Sequence, residues 1–247
     1  MKTSSPNWNS AFRLLLYCLI LSILLTPAMT RAQIADMTLK QLRINGLGSM
    51  GSAYAESIDE SRTGGYIGLE YCTSNNQSLA FNIGFASVAE GEDSAAVFGK
   101  GMNELYFEYL FKTAFMQDMS EDVHLAMLFG GEIINIKSDK DYEIKGASFI
   151  AGPLLNISVE KFLPFIPVPL TFTNQLKVGV FRGTLNYPVY YTDKINAFYS
   201  RVSVDTGFLL PFKPNFKGLI LYHGSLIGPQ YAESAISLGL SLGLGSE

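Results

Sequence analysis

The sequence predicts an all-β fold: a closed, antiparallel, up-and-down barrel that crosses a membrane on eight to ten strands, with ten favoured. Three observations predict it. Apolar side chains recur with a period of two, the mark of strands with unlike faces, and convincing 3.6-residue periodicity is scarce. The alternating runs mostly reach the roughly 9–11 residues that a tilted strand needs to cross a bilayer. The last run, "SAISLGLSLGLGSE" at 234–247, sets Ile or Leu at every even position from 236 to 244, against Ser or Gly at the odd ones. Glycine weakens a strand unless close approach is needed, and a narrow closed barrel needs it inside.

The candidate strands follow in order near 40–54, 65–73, 78–87, 102–112, 122–137, 142–159, 168–183, 194–210, 218–227 and 234–244. In "SLAFNIGFA", Leu79, Phe81, Ile83 and Phe85 part from Ala80, Asn82, Gly84 and Ala86. "NELYFEYLF" separates Leu105, Phe107, Tyr109 and Phe111 from Glu104, Tyr106 and Glu108. The segment 142–159 has mixed faces and is interrupted by Pro153. "LTFTNQLKVGV" parts Leu170, Phe172, Leu176, Val178 and Val180 from Thr171, Thr173, Gln175, Lys177 and Gly179. In "NAFYSRVSVDTGFLL", Phe198, Val202, Val204, Phe208 and Leu210 part from Tyr199, Arg201, Ser203 and Asp205. Turn-rich stretches separate the runs: "SNNQ" at 74–77, "SDKD" at 138–141 and "PFKPNFKG" at 211–218.

A soluble sandwich would scatter charge over its outer face, whereas here the aliphatic face is free to meet lipid and the other to line a crowded lumen. Parity places Glu70, Glu104, Glu108, His124, Lys177, Arg201 and Asp205 on the polar, inward face. Isolated charge inside a narrow tube is costly, so these groups are expected to pair and plug the lumen. Gly46 and Gly48 are expected on the same lumen face. Aromatic clusters at Phe162 and Phe165, at Tyr187, Tyr190 and Tyr191, and at Phe212 and Phe216 suit interfacial girdles.

Ahead of the strands, Lys2 and Arg13 precede the apolar run "LLLYCLILSILL" at 14–25, and Thr30 and Ala32 offer small residues before Gln33. This is the layout of a secretory signal peptide at 1–32, leaving one domain at 33–247. Cleavage removes three basic residues, so 15 basic stand against 22 acidic, a net charge of −7. That argues against a nucleic-acid partner. Only Cys72 remains after the cut, and His124 and His223 are far apart in sequence, so neither a disulfide, a metal site nor a cofactor is expected.

On this pattern, from 40 to 244 behind a signal peptide, the chain resembles the small bacterial outer-membrane β-barrel proteins. The resemblance implies the outer membrane of a diderm bacterium, contact with outer-leaflet lipid, and the barrel-insertion machinery as a partner. It implies a porin-like cell-envelope role that is structural, adhesive or that of a narrow pore. It places both termini in the periplasm, with connections at 55–64, 88–101, 138–141, 184–193 and 228–233 facing outward. The first two are acidic and would be the places for divalent cations or external partners.

Two motifs invite other readings. "GLGSMG" at 46–51 fits a dinucleotide fingerprint with Glu70 as the ribose acid, but no helix pattern follows it. "YHGSLIGPQYAES" at 222–234 resembles the outer-membrane lipid A deacylases, whose H-x-S-N segment on the penultimate strand works with a Glu on the last. That resemblance implies His223 as base, Ser225 as nucleophile and Glu233 as orienter, with Leu226 where the family has Asn. Parity, however, sets His223 and Ser225 beside Leu219 and Leu221, and Glu233 on the opposite, Ser/Gly face. A third reading is a secreted soluble barrel with its aliphatic faces turned inward around an apolar ligand.

Overall fold

The computed structural model describes residues 41–55, 58–74, 77–88, 102–117, 123–138, 142–162, 169–186, 195–213, 215–228 and 231–245. The segment read as a signal peptide lies outside the described residues, as do Phe165, Tyr187, Tyr190, Tyr191 and the Phe162 side chain. Ten strands form: β1 Leu42–Ala55, β2 Ile58–Ser74, β3 Gln77–Val88, β4 Met102–Gln117, β5 Val123–Ser138, β6 Glu143–Ser158, β7 Thr171–Asn186, β8 Ile195–Lys213, β9 Phe216–Ile227 and β10 Tyr231–Leu244. A single-turn helix, α1 (Val159–Phe162), follows β6. Every strand pairs antiparallel with its sequence neighbour, and β1 also pairs with β10 from Leu42↔Leu244 to Ala55↔Tyr231, which closes the barrel. Closure leaves no unpaired edge, the condition for a sheet to sit in hydrocarbon.

The predicted strands all appear, and the main difference lies at their outer ends. The stretch 55–64, read as a connection, is mostly strand: β2 begins at Ile58 and pairs with β1 from there. β10 likewise starts at Tyr231 rather than 234. Pro153 is accommodated because β6–β7 pairing passes from Ala151↔Val178 to Leu154↔Gln175. A proline without an N–H can sit in a strand only where a ladder bond is forgone. The connection 88–101 falls almost wholly outside the described residues.

The bulky faces point outward. Phe149 is 64% exposed, Phe198 69%, Ile236 62% and Leu238 61%, and Phe81, Phe85, Phe107, Tyr109, Ile133 and Val180 continue the belt. So large a contiguous apolar surface is incompatible with water and fits acyl chains. The soluble-barrel reading, which needs those groups inside, is therefore overturned. Phe212 and Phe216 stand close to each other at the inner end, ring centroids 5.7 Å apart. Gly46 and Gly48 face outward, contrary to expectation: on β1 the lumen positions are Leu47, buried, and the other odd residues up to Ala53, while Met50 is 72% exposed on the even side.

Candidate functional site

The inward faces build the candidate site. At the outer strand ends, Val88 closes β3, Met102 opens β4, Tyr142 precedes β6, Ile227 closes β9 and Tyr231 opens β10. These side chains pack with Ala53, Ile134, Ile136, Ile144 and Phe181 into one buried apolar cluster, against which Tyr106 and Tyr199 rest. By strand parity all of them point into the tube. The lumen is thus filled at its outer end by a dry plug of the wall's own side chains. The sequence reading, which expected paired charge alone, did not contain this plug.

Beneath the plug runs a chain of ion pairs. Arg62 on β2 meets Glu104 on β4 at 2.7 Å and Glu233 on β10 at 3.1 Å. Tyr231 donates its hydroxyl to Glu104. Glu233 lies 3.2 Å from Nε2 of His223 on β9, and Nδ1 of that ring is 2.6 Å from Asp205 on β8. Asp205 continues to Lys177 on β7 at 3.2 Å, and Lys177 to Glu108 on β4 at 2.8 Å. Glu108 also accepts from Asn82 of β3 at 2.7 Å. The chain therefore crosses the tube and touches seven of its ten strands. Both ring nitrogens of His223 are thereby engaged by carboxylates.

Two further clusters flank the chain. Arg201 engages both oxygens of Glu132 through Nε and Nη2, and its Nη1 donates to Ser225; Ser148 donates to Glu132 at 2.6 Å. The fork geometry makes Arg suited to such a bidentate site. Toward the inner end Lys112 pairs with Glu70 at 2.9 Å, and Ser78 donates to the same carboxylate at 2.7 Å. An internal cavity of about 210 Å³ remains among these groups, lined by residues including Arg43, Asn45, Asn156, Gln175 and Lys217.

Of the expected lumen residues, Glu104, Glu108, Lys177 and Asp205 join the central chain, Arg201 and Glu70 belong to the flanking clusters, and His124 stands near the inner end of β5 opposite Asn156. Sequence reasoning missed Arg62, Lys112, Glu132 and Tyr231. Lys112 shares parity with Glu108, and Glu132 with His124, so the alternation itself held that signal; Arg62 fell in the stretch mistaken for a connection.

The expected split between His223 and Glu233 is also overturned. Ser225 pairs with Glu233 and Ala235 with His223, so all three site residues face the lumen together with Leu219 and Leu221. Each ring nitrogen of His223 is held by a carboxylate, and the Ser225 hydroxyl, 4% exposed as a residue, is held by Arg201. The "GLGSMG" run lies in mid-β1, paired on both sides, and Glu70 is bound to Lys112. Neither is the geometry of a phosphate-binding turn.

No protein-family model and no curated protein matches the chain. Among solved structures it is similar to an outer-membrane channel from Pseudomonas putida F1, at 10% identity over 84% of this chain and 97% of that one, with a TM-score of 0.46. The translocator domain of the autotransporter NalP from Neisseria meningitidis gives 13% identity, 84% and 89% coverage and a TM-score of 0.43. The outer-membrane protease OmpT from Escherichia coli gives 8% identity, 89% and 99% coverage and 0.39. At these values the likeness carries over no residue and no activity. Closure, outward belt and filled lumen define the class by themselves: the chain is a ten-stranded transmembrane β-barrel of the outer-membrane type.

Proposed function

We propose that this protein is an outer-membrane barrel whose lumen is shut to bulk ion flow, and whose role is structural or adhesive. The carrying observation is the pair of obstacles in series, an apolar plug over a cross-lumen chain of ion pairs. A general pore needs a continuous water-filled passage, whereas here the polar cavity among the ion pairs is capped at its outer end by the apolar plug. In this reading the wall touches outer-leaflet lipid, and the barrel-insertion machinery delivers the chain after its signal peptide is removed. The role is non-enzymatic: with His223 held between Asp205 and Glu233, its ring has no nitrogen left to take a proton from Ser225. Planar-bilayer recording of the refolded barrel tests the proposal. Silence or rare, small openings are expected; large, steady single-channel currents would overturn it.

A further inference from the structure

The outward wall is uncharged over nearly all of its described extent, which makes one exception informative. In the outer half of the barrel, formal charge among the described outward-facing side chains is confined to Lys137 on β5, Glu143 and Lys145 on β6, and Arg182 on β7. These strands are consecutive. Glu143 sits opposite Lys137 and offsets one charge. Lys145 pairs with Thr184 and Arg182 with Ala147, so the two cations are diagonal neighbours across one ladder, a separation of about 7–8 Å between backbones. Both are exposed.

The level of this cluster is set by what lies around it. Asn135, Lys145, Thr184 and Asn196 form one cross-strand row, and Lys137, Glu143 and Asn186 form the row outside it. Immediately inward come Ile133, Ala147, Arg182 and Phe198, then Phe149 and Val180 in the apolar belt. The cluster thus straddles the change from hydrocarbon to headgroup. The Arg182 guanidinium lies over the Phe198 ring, 5.4 Å from its centroid, a cation–π contact that keeps the cation beside the wall.

We propose that Lys137, Lys145 and Arg182 form a docking site for the phosphates of an outer-leaflet phosphorylated glycolipid of the lipid A type, whose acyl chains lie along Ile133, Phe149, Val180 and Phe198. The charge is complementary, Arg and Lys being the usual partners of phosphate oxygens. The apolar rows supply the acyl half of the same molecule. The assignment rests on the proposed outer-membrane orientation, which puts these strand ends at the external leaflet.

Native mass spectrometry of the full barrel in detergent tests it, with bisphosphorylated lipid A, its dephosphorylated form and phosphatidylglycerol as competing probes. The wild type is expected to retain the bisphosphorylated lipid in preference to both others. K145Q/R182Q is expected to lower that preference roughly thirtyfold, as suits two cations near an anionic surface. Lys213→Gln, at the inner end, is expected to leave it unchanged. Equal retention of the phosphorylated and dephosphorylated lipids, a preference for phosphatidylglycerol, or an unaltered K145Q/R182Q would each overturn the site. Heat-dependent gel mobility, measured on every variant, separates this from the underlying reading: a wild type that is not a heat-modifiable membrane barrel sinks both, and one that is, without lipid preference, sinks the docking site alone.

Discussion

Lys177 shows what one side chain does in this lumen. Its ammonium stands between Glu108 and Asp205, at 2.8 Å and 3.2 Å, and the residue is 4% exposed. Removing it leaves the Glu108 carboxylate without its cation and Asp205 with His223 as its remaining ionic partner. Breaking a buried pair from one side typically costs about 3–5 kcal/mol, far more than a surface pair is worth. Lys177→Met is therefore expected to lower the unfolding free energy of the detergent-folded barrel, measured by urea titration, by a matching amount. Adding Glu108→Gln should restore a substantial part, because the uncompensated charge goes with it; an equal loss in single and double variants would show that packing, not charge, sets the effect. Ser225 predicts differently. Cells expressing wild type, Ser225→Ala or an empty vector should give the same lipid A acyl pattern by mass spectrometry. An acyl chain lost only with the wild type would restore the hydrolase.

At the scale of the strand, close approach decides what is tolerated. A Cβ added to Gly152 of β6 would lie 1.8 Å from the Leu176 carbonyl oxygen of β7, a backbone atom that cannot step aside. Beside it Pro153 forgoes a ladder bond, so the β6–β7 seam already lacks regular pairing there. Gly152→Val is expected to abolish the heat-modifiable folded band, whereas Pro153→Ala, exposed on the lipid side, should leave it intact. A normally folded Gly152→Val barrel would mean that the seam can open without loss. Strands were the most legible feature of the sequence, because lipid on one side and a crowded lumen on the other impose strict alternation. Legibility failed where that contrast fades. The first half of β2, "IDESRTG", puts Ser61 and Thr63 outward at the rim, where no hydrocarbon demands bulk, so it read as a connection. On β9, Leu219 and Leu221 face the lumen while Ile220 and Tyr222 face out, so both faces are apolar and parity could not place His223. On β5, Ile133 and Ile134 are adjacent and bulky, and the second belongs to the plug. Which acid meets which base was illegible for another reason: alternation assigns a face, but only the register of all ten strands assigns a neighbour.

For the whole molecule, the plug and the ion-pair chain act in series along one axis, and ions must pass both. Each blocks differently. The plug excludes water through packed Tyr142, Phe181, Ile144 and Met102, whereas the chain below is polar but spans the tube with paired groups. A barrier in series is not removed by weakening its partner. Phe181→Ala/Ile144→Ala, which thins the plug, and E108Q/K177Q, which unties the chain by neutralising both partners, should each remain nearly silent in planar bilayers. The four substitutions together should give resolved conductance steps, provided heat-modifiable mobility shows the barrel still closed. If the thinned plug conducts alone, the ion pairs hold the wall together without sealing it. Should the quadruple variant stay silent while folded, the seal lies above the described strands, and the plug's contribution is to stability rather than closure.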